Sequence, residues 1–372
     1  MSAFRYGHAA AEDWRAAVEG CLEALGRVPE AGNLGFLYVT DRLAEHMEEV
    51  LARFRAATGV GHWVGAVGMG ICATGVEYYD KPALAAMVGE LPAGSFRVFP
   101  AVIEDLDGFE ASHGDWIATH RPYLGLVHGD PNNPGTESLI ARLAAQTSAG
   151  FLVGGLASSR DKVSLLADGI TGGGVAGVLF SEQVPILTRL SQGCSPIGPQ
   201  RTVTEAQRNI LIQIDGEPAL DVLKRDIGDI LARDLTRIGG YIFAGLPIAG
   251  SDTGDYLVRN LVGIDPQQGL VAIGDLVEPG ARVMFCRRDA STAKEDLLRM
   301  LGGIKRRLGG PPRGGIYVSC LGRGINLFGP NSEELGLIRD ELGDFPLVGF
   351  YANGEISRDR LYGYTGVLTL FL

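Results

Sequence analysis

Cysteine is scarce in this chain, and what there is stands scattered: Cys21, Cys72, Cys194, Cys286 and Cys320 in 372 residues. No C-x-x-C pair occurs, so neither a zinc site nor a disulfide framework is encoded. The six histidines, His8, His46, His62, His113, His120 and His128, show no H-x-x-x-H or H-E-x-x-H spacing, and the second half of the chain has none. A metal site on one helix face is thereby unsupported, and no metal is expected. The formal net charge is −11, with no Lys/Arg cluster dense enough to track phosphates. This excludes nucleic acid as an expected partner. No apolar run approaches the ~18 residues of a membrane span, so no membrane insertion is expected. The N-terminus, M-S-A-F-R-Y-G-H-A-A-A-E-D-W, carries acids where a signal peptide needs an apolar run. A cytoplasmic protein is the expectation. Gly68-Met69-Gly70 and Gly172-Gly173-Gly174 belong to no G-x-x-x-x-G-K-[ST] and to no strand–G-x-G-x-x-G–helix, which removes P-loop and dinucleotide readings.

What the chain does have is glycine, 54 residues of it, about twice the usual share of ~7%. Much of the backbone must turn tightly or approach a neighbour closely. The length favours two domains. Apolar periodicity gives a helix over residues 11–27, a buried strand at 35–40, a helix opened by Asp41, and strands at 62–69 and 83–89. The same order returns as strand 123–128, helix 136–147, and strands 150–156 and 173–180. It returns again as strand 316–320, helix 332–342, and strands 347–351 and 365–372. Each copy carries Val-Gly inside its second strand: Val64-Gly65, Val153-Gly154 and Val348-Gly349. The fold class expected is α/β, two domains of mixed β-sheets layered with helices and built from repeated strand–helix–strand–strand units. Between copies two and three, residues 181–205 read as turn-rich and 219–238 as one helix. Three runs near 256–262, 269–274 and 282–286 read as an antiparallel meander. The boundary is placed between domains 1–205 and 206–372.

The third copy has the most polar turns. Cys320 ends a strand, and Gly322 and Gly324 bracket Arg323. A Gly–Arg–Gly turn can aim N–H groups and a guanidinium at one point, a cradle for a carboxylate or other anion. The alternative is a tight turn whose arginine pairs with Glu355 or another acid. Tyr351, Asn353 and Glu355 form the second turn, where Glu355 can meet an ammonium or a hydroxyl, or hold Arg323. Ser158 and Ser159 follow the second strand of copy two and are placed to donate to a ligand, though G-L-A-S-S lacks the G-x-S-x-G elbow. Cys320 as a nucleophile lacks a nearby base in the sequence, and a packed apolar thiol is its plainer role. His62 and His128, each at a strand end, are the candidates for an axial haem ligand.

At these residues the chain resembles a known family. C-L-G-R-G, a helix, P-L-V-G-F-Y-A-N-G-E-I, and T-G-V-L-T-L-F are similar to the C-terminal half of FIST proteins, and residues 35–180 with V-G-G-L-A-S-S to the N-terminal half. Family members often carry a G-x-T-x-G-E-like turn after the first Val-Gly strand, where this chain reads Ala66-Val67-Gly68-Met69-Gly70. The resemblance implies a sensory, non-catalytic module binding a small molecule, an amino acid or similar carboxylate, and signalling through a partner such as a histidine kinase. No cofactor is required by that reading. Alternatives are a haem-based nitric-oxide sensor regulating a kinase, a cysteine- or serine-dependent hydrolase, and an interaction scaffold.

Overall fold

The computed structural model describes residues 4–248 and 256–372. They form two compact units. One runs from the start of the chain to Ser191 and resumes at Leu297–Leu372; the other is Gln192–Asp296. The position 205/206 lies in the second unit, within the strand Arg201–Gln207.

The first unit holds the three copies. Each centres on a parallel pair joined by a helical crossover. Leu34–Thr40 lies beside His62–Gly68, Leu124–Gly129 beside Leu152–Leu156, and Gly314–Cys320 beside Leu347–Ala352. The crossovers carry the helices Met47–Thr58, Thr136–Ala144 and Glu333–Leu342. In the first of these, Met47, Val50, Leu51 and Phe54 repeat at helical spacing and are buried. Its end is set by Gly59 in the left-handed region (φ 72°). A third strand closes each copy antiparallel to the first: Ala83–Gly89, Val175–Phe180 and Thr365–Phe371. These strands are apolar on both faces, as crossover sheets require.

The Val-Gly marker has a steric cause. Gly65, Gly154 and Gly349 stand opposite Leu37, Val127 and Tyr317 in the parallel pairs. A Cβ at any of the three would fall inside the carbonyl oxygen of that partner. Only glycine lets the strands come together there.

Between its second and third strands each copy makes a hairpin, and each hairpin pairs with a different copy. Gly70–Ala73 of copy one pairs with Leu347–Ala352 of copy three, and Leu165–Ala167 of copy two with His62–Gly68 of copy one. Glu355–Arg358 of copy three pairs with Leu152–Leu156 of copy two. The exchange is cyclic, so the copies are interlocked around one core that includes Phe36, Leu126, Ile316, Val318 and Phe350. Strands absent from the sequence reading complete the sheets: Arg5–Ala10 pairs with Ala83–Gly89, and Phe96–Val102 with Val175–Phe180. The helix Asp107–His120 escapes periodicity because it buries only Phe109 and His113.

Among the described residues of the second unit, six strands close on themselves. Arg282–Arg288 pairs with Ile242–Pro247 and with Arg201–Gln207. The ring continues through Ile210–Ile214, Leu270–Ile273 and Tyr256–Asp265 back to Ile242–Pro247. The expected meander is therefore only half present, since Leu270–Ile273 has Ile210–Ile214 and not Arg282–Arg288 as its other neighbour. The stretch 181–205 contains the strands Ile186–Gln192, Cys194–Pro196 and the start of Arg201–Gln207, because long-range partners override its local turn chemistry. The helix expected over 219–238 is Ala219–Ala232, interrupted at Gly228 (φ 77°), then a 3₁₀ turn at Leu235–Ile238.

Candidate functional site

Arg323 is fully buried, and its partner is Glu334, on the first turn of the helix Glu333–Leu342. The guanidinium Nε and Nη2 each lie 2.8 Å from Glu334 Oε1. Glu334 also accepts from Tyr317 Oη (2.6 Å), Ser319 Oγ (3.2 Å) and the Gly324 amide (2.8 Å). Burial alone would lower the guanidinium's pKa; the Glu334 charge, Tyr317 and the hydrogen bonds to both together outweigh it and hold Arg323 charged. Nη1 reaches the Ser191 carbonyl at 3.5 Å, Nη2 also reaches Ser191 Oγ at 3.4 Å, and the guanidinium lies over the Phe328 ring. The cation is thus matched inside the fold.

Beyond Gly324 the polar groups are not matched. Glu77 and Tyr79 come from the hairpin that copy one inserts beside copy three. Tyr351 is on the strand Leu347–Ala352 and fully buried. The rings of Tyr79 and Tyr351 lie 4.5 Å apart. Both oxygens of Glu77, Tyr79 Oη and Tyr351 Oη are shut from solvent, and none has a partner at hydrogen-bond geometry. The Tyr351 hydroxyl and the amides of Leu335 and Ile325 lie near enough to favour the Glu77 charge, but burial first and Glu334 second push its pKa up to about 8. All three groups converge on Gly324, which has φ 52°. A Cβ there would be 2.9 Å from Glu77 Oε2, 2.7 Å from the Tyr351 ring, and closer still to Tyr79 Oη. Ile325 and Asn326, next in the chain, are exposed.

The other copies supply an internal control. Glu77 stands across its hairpin from Cys72, which faces the close-approach glycine Gly349. The same relation leads to Ile170 through Leu166 and Gly65, and to Leu361 through Ile356 and Gly154. Tyr79, two residues on, corresponds to Gly172 and Gly363. Tyr351, two residues past Gly349, corresponds to Val67 and Leu156. The fold accepts Ile–Gly–Val and Leu–Gly–Leu at these places, so packing does not demand Glu–Tyr–Tyr.

Of the other residues singled out in the sequence, Cys320 and Glu355 meet one another. Glu355 is fully buried; Oε2 accepts from Thr365 N (2.9 Å) and Oγ1 (2.8 Å), and Oε1 has no partner at bonding geometry, although the Cys320 thiol lies against the carboxyl. Burial pushes Glu355 up to about 8 against the pull of the Thr365 bonds. Burial, then Glu355, pushes the Cys320 thiol up as well, which disfavours a nucleophilic thiolate. Gly322 packs 3.1 Å from the Tyr364 ring by its absent Cβ and donates to Cys320 Sγ. Asn353 is exposed, and its amide donates to Leu156 O (3.0 Å). Ser158 is buried and doubly bonded: Oγ accepts from Met69 N (2.9 Å) and donates to Tyr351 O (2.6 Å). Ser159 accepts from Asp161 N in a local turn. His128 sits in the core, Nε2 3.1 Å from Tyr38 Oη, with burial pushing its pKa down to about 3. His62 is half exposed and bonded to Asp168 at 2.8 Å.

Of the residues in this polar cluster, the sequence singles out Tyr351, Arg323 and Gly324 on glycine-rich turns, and not Glu77, Tyr79 or Glu334. Laying the three copies against one another at their Val-Gly pairs would have exposed Glu77 and Tyr79 as polar exceptions.

An internally triplicated α/β unit, with a closed β unit inserted between its second and third copies, defines the class of protein. The chain belongs to the FIST family: the FIST N domain matches residues 33–217 and the FIST C domain residues 219–358. FIST domains are sensory domains of signal-transduction proteins. An uncharacterized protein of Mycobacterium tuberculosis is 32% identical over 381 aligned residues, covering 96% of each chain. One of Mycobacterium bovis is 30% identical over 371, covering 94% of this chain and 92% of its own. Among the described residues no helix is long and apolar enough to cross a membrane.

Proposed function

We propose that this FIST protein is a non-catalytic sensor whose site at Glu77, Tyr79 and Tyr351 takes a small molecule bearing a primary ammonium group, an amino acid being the simplest such ligand. The supporting observation is that these three buried, unpartnered acceptors converge on Gly324 while both counterpart sites are apolar. An ammonium has three donors and no acceptor, the complement of one carboxylate and two hydroxyl oxygens. Charge supports the same choice. Glu334 is neutralised by Arg323, so Glu77 is the acid left without a cation. Arg323 then braces the site through Glu334 and does not meet the ligand's carboxylate. A separate signalling protein, such as a histidine kinase, reads the occupied state.

A thermal-shift series with glycine, lysine, putrescine and acetate tests this. The amines, including putrescine, which has no carboxylate, are expected to raise the midpoint by a few degrees at saturating concentration, while acetate does not. Stabilisation by acetate alone, or by no amine, contradicts the reading.

A further inference from the structure

Where the second strands of the copies end, two of the three junctions are closed by a backbone amide donated from one copy to another. Ser158 N, four residues past Gly154, donates to Val67 O, two past Gly65, at 3.2 Å. Asn353 N, four past Gly349, donates to Leu156 O, two past Gly154, at 3.0 Å. The cyclic order calls for a third bond, from Met69 N to Tyr351 O. In its place Met69 N donates to Ser158 Oγ, which donates to Tyr351 O. One hydroxyl is inserted into the third junction and into neither of the others.

That junction borders the polar site. Tyr351 supplies both the carbonyl and one of the site's rings. Gly70, next to Met69, packs against both rings: a Cβ on it would lie 2.8 Å from the Tyr79 ring and 3.1 Å from the Tyr351 ring. The Met69–Tyr351 junction therefore adjoins the contact between the two tyrosines. The equivalents of Ser158 cannot do the same, since the side chain of Asn353 is exposed and Met69 has no hydroxyl.

We infer that Ser158 is a positioning residue, a one-hydroxyl spacer that holds the start of copy one's hairpin off the Tyr351 carbonyl and so sets how Glu77 and Tyr79 stand against Tyr351. Without the spacer, the Met69 amide closes directly on the Tyr351 carbonyl, as the other two junctions already do, and the hairpin carrying Glu77 and Tyr79 shifts against Tyr351. The functional consequence rests on the ammonium-site reading; the spacer geometry does not.

The test compares Ser158→Ala with Ser158→Cys, which keeps a bridging group, in crystal structures without ligand and in calorimetric titrations with glycine and putrescine. Ser158→Ala is expected to fold with a direct Met69 N to Tyr351 O bond at ~2.9 Å. Its Tyr79 and Tyr351 rings are expected displaced from the present 4.5 Å, 40° arrangement, with binding of the probes weakened about tenfold or more. Ser158→Cys is expected to keep the ring arrangement and most of the binding. A Ser158→Ala protein with unchanged ring arrangement overturns the spacer, and so does one that cannot fold, because the direct bond was to replace the bridge. If wild type binds neither probe, the ligand reading fails while the structural comparison still decides the spacer.

Discussion

Glu77 and Glu334 are neighbouring acids in one polar cluster with opposite surroundings: Glu334 accepts hydrogen bonds from four residues, Tyr317, Ser319, Arg323 and Gly324, and Glu77's two oxygens accept none. The first acid is held inside the fold, and the proposed reading assigns the second to the ligand. Removing one partner of a buried pair leaves an uncompensated charge, so Arg323→Ala or Glu334→Ala is expected to cost about 3–5 kcal/mol. The pair Arg323→Met with Glu334→Leu is expected to cost much less than the two single losses together. Urea unfolding of the four proteins measures this. A mild Arg323→Ala that loses amine binding would instead place Arg323 at the ligand.

Glu355 makes a pH prediction. Its folded pKa, about 8, lies above the ordinary 4.5 because it is buried. Between those values the folded state keeps a proton that the unfolded chain has lost, so stability falls as pH rises. The contribution is whole below about 4.5 and gone above about 8. At ~1.4 kcal/mol per pH unit, Glu355→Gln is expected to be more stable than wild type at pH 8 by up to a few kcal/mol and similar at pH 5. Parallel melting curves across this range would refute the assignment.

The interlocking glycines should be far less tolerant than their helical counterparts. Gly65→Ala, Gly154→Ala and Gly349→Ala each drive a Cβ into a facing carbonyl and are expected to cost about 3 kcal/mol or more. Gly108→Ala and Gly336→Ala lie in helices with open space around them and are expected to be neutral or stabilising by up to ~1 kcal/mol. Denaturant midpoints for the five variants settle the contrast.

The haem alternative has one reachable histidine. His128 is committed to Tyr38 in the core, whereas His62 is half exposed. If added haem gives a Soret band through a histidine, the band is expected to survive His128→Leu and to vanish in His62→Ala. Loss of the band on His128→Leu alone would mean that the core opens.

The triplicate order was legible because Val-Gly answers to a local steric demand, a carbonyl that admits no Cβ. The hairpin exchange was not. It joins Cys72 to Gly349 across most of the chain, and no periodicity reports such a pairing. The site followed the same division. Tyr351 and Arg323 stood out on glycine-rich turns, and so did Glu355, which lies instead with Thr365 and Cys320. Glu77 reaches the site only through the exchange, and Glu334 read as an ordinary residue of a helix start. The closed β unit was obscured for a related reason: Arg282–Arg288 finds its partners at Ile242–Pro247 and Arg201–Gln207, not at the nearest run.

The central claim is that Glu77 is the ligand's counter-ion. The most direct measurement is a calorimetric titration of wild type and Glu77→Gln with whichever of glycine, lysine or putrescine stabilises the wild type most. A charge-assisted hydrogen bond is worth about 1.5–3 kcal/mol, so the account predicts a roughly tenfold to hundredfold weaker affinity in Glu77→Gln, with its melting midpoint equal to or above that of wild type at pH 8. Equal affinity in the two proteins would contradict it.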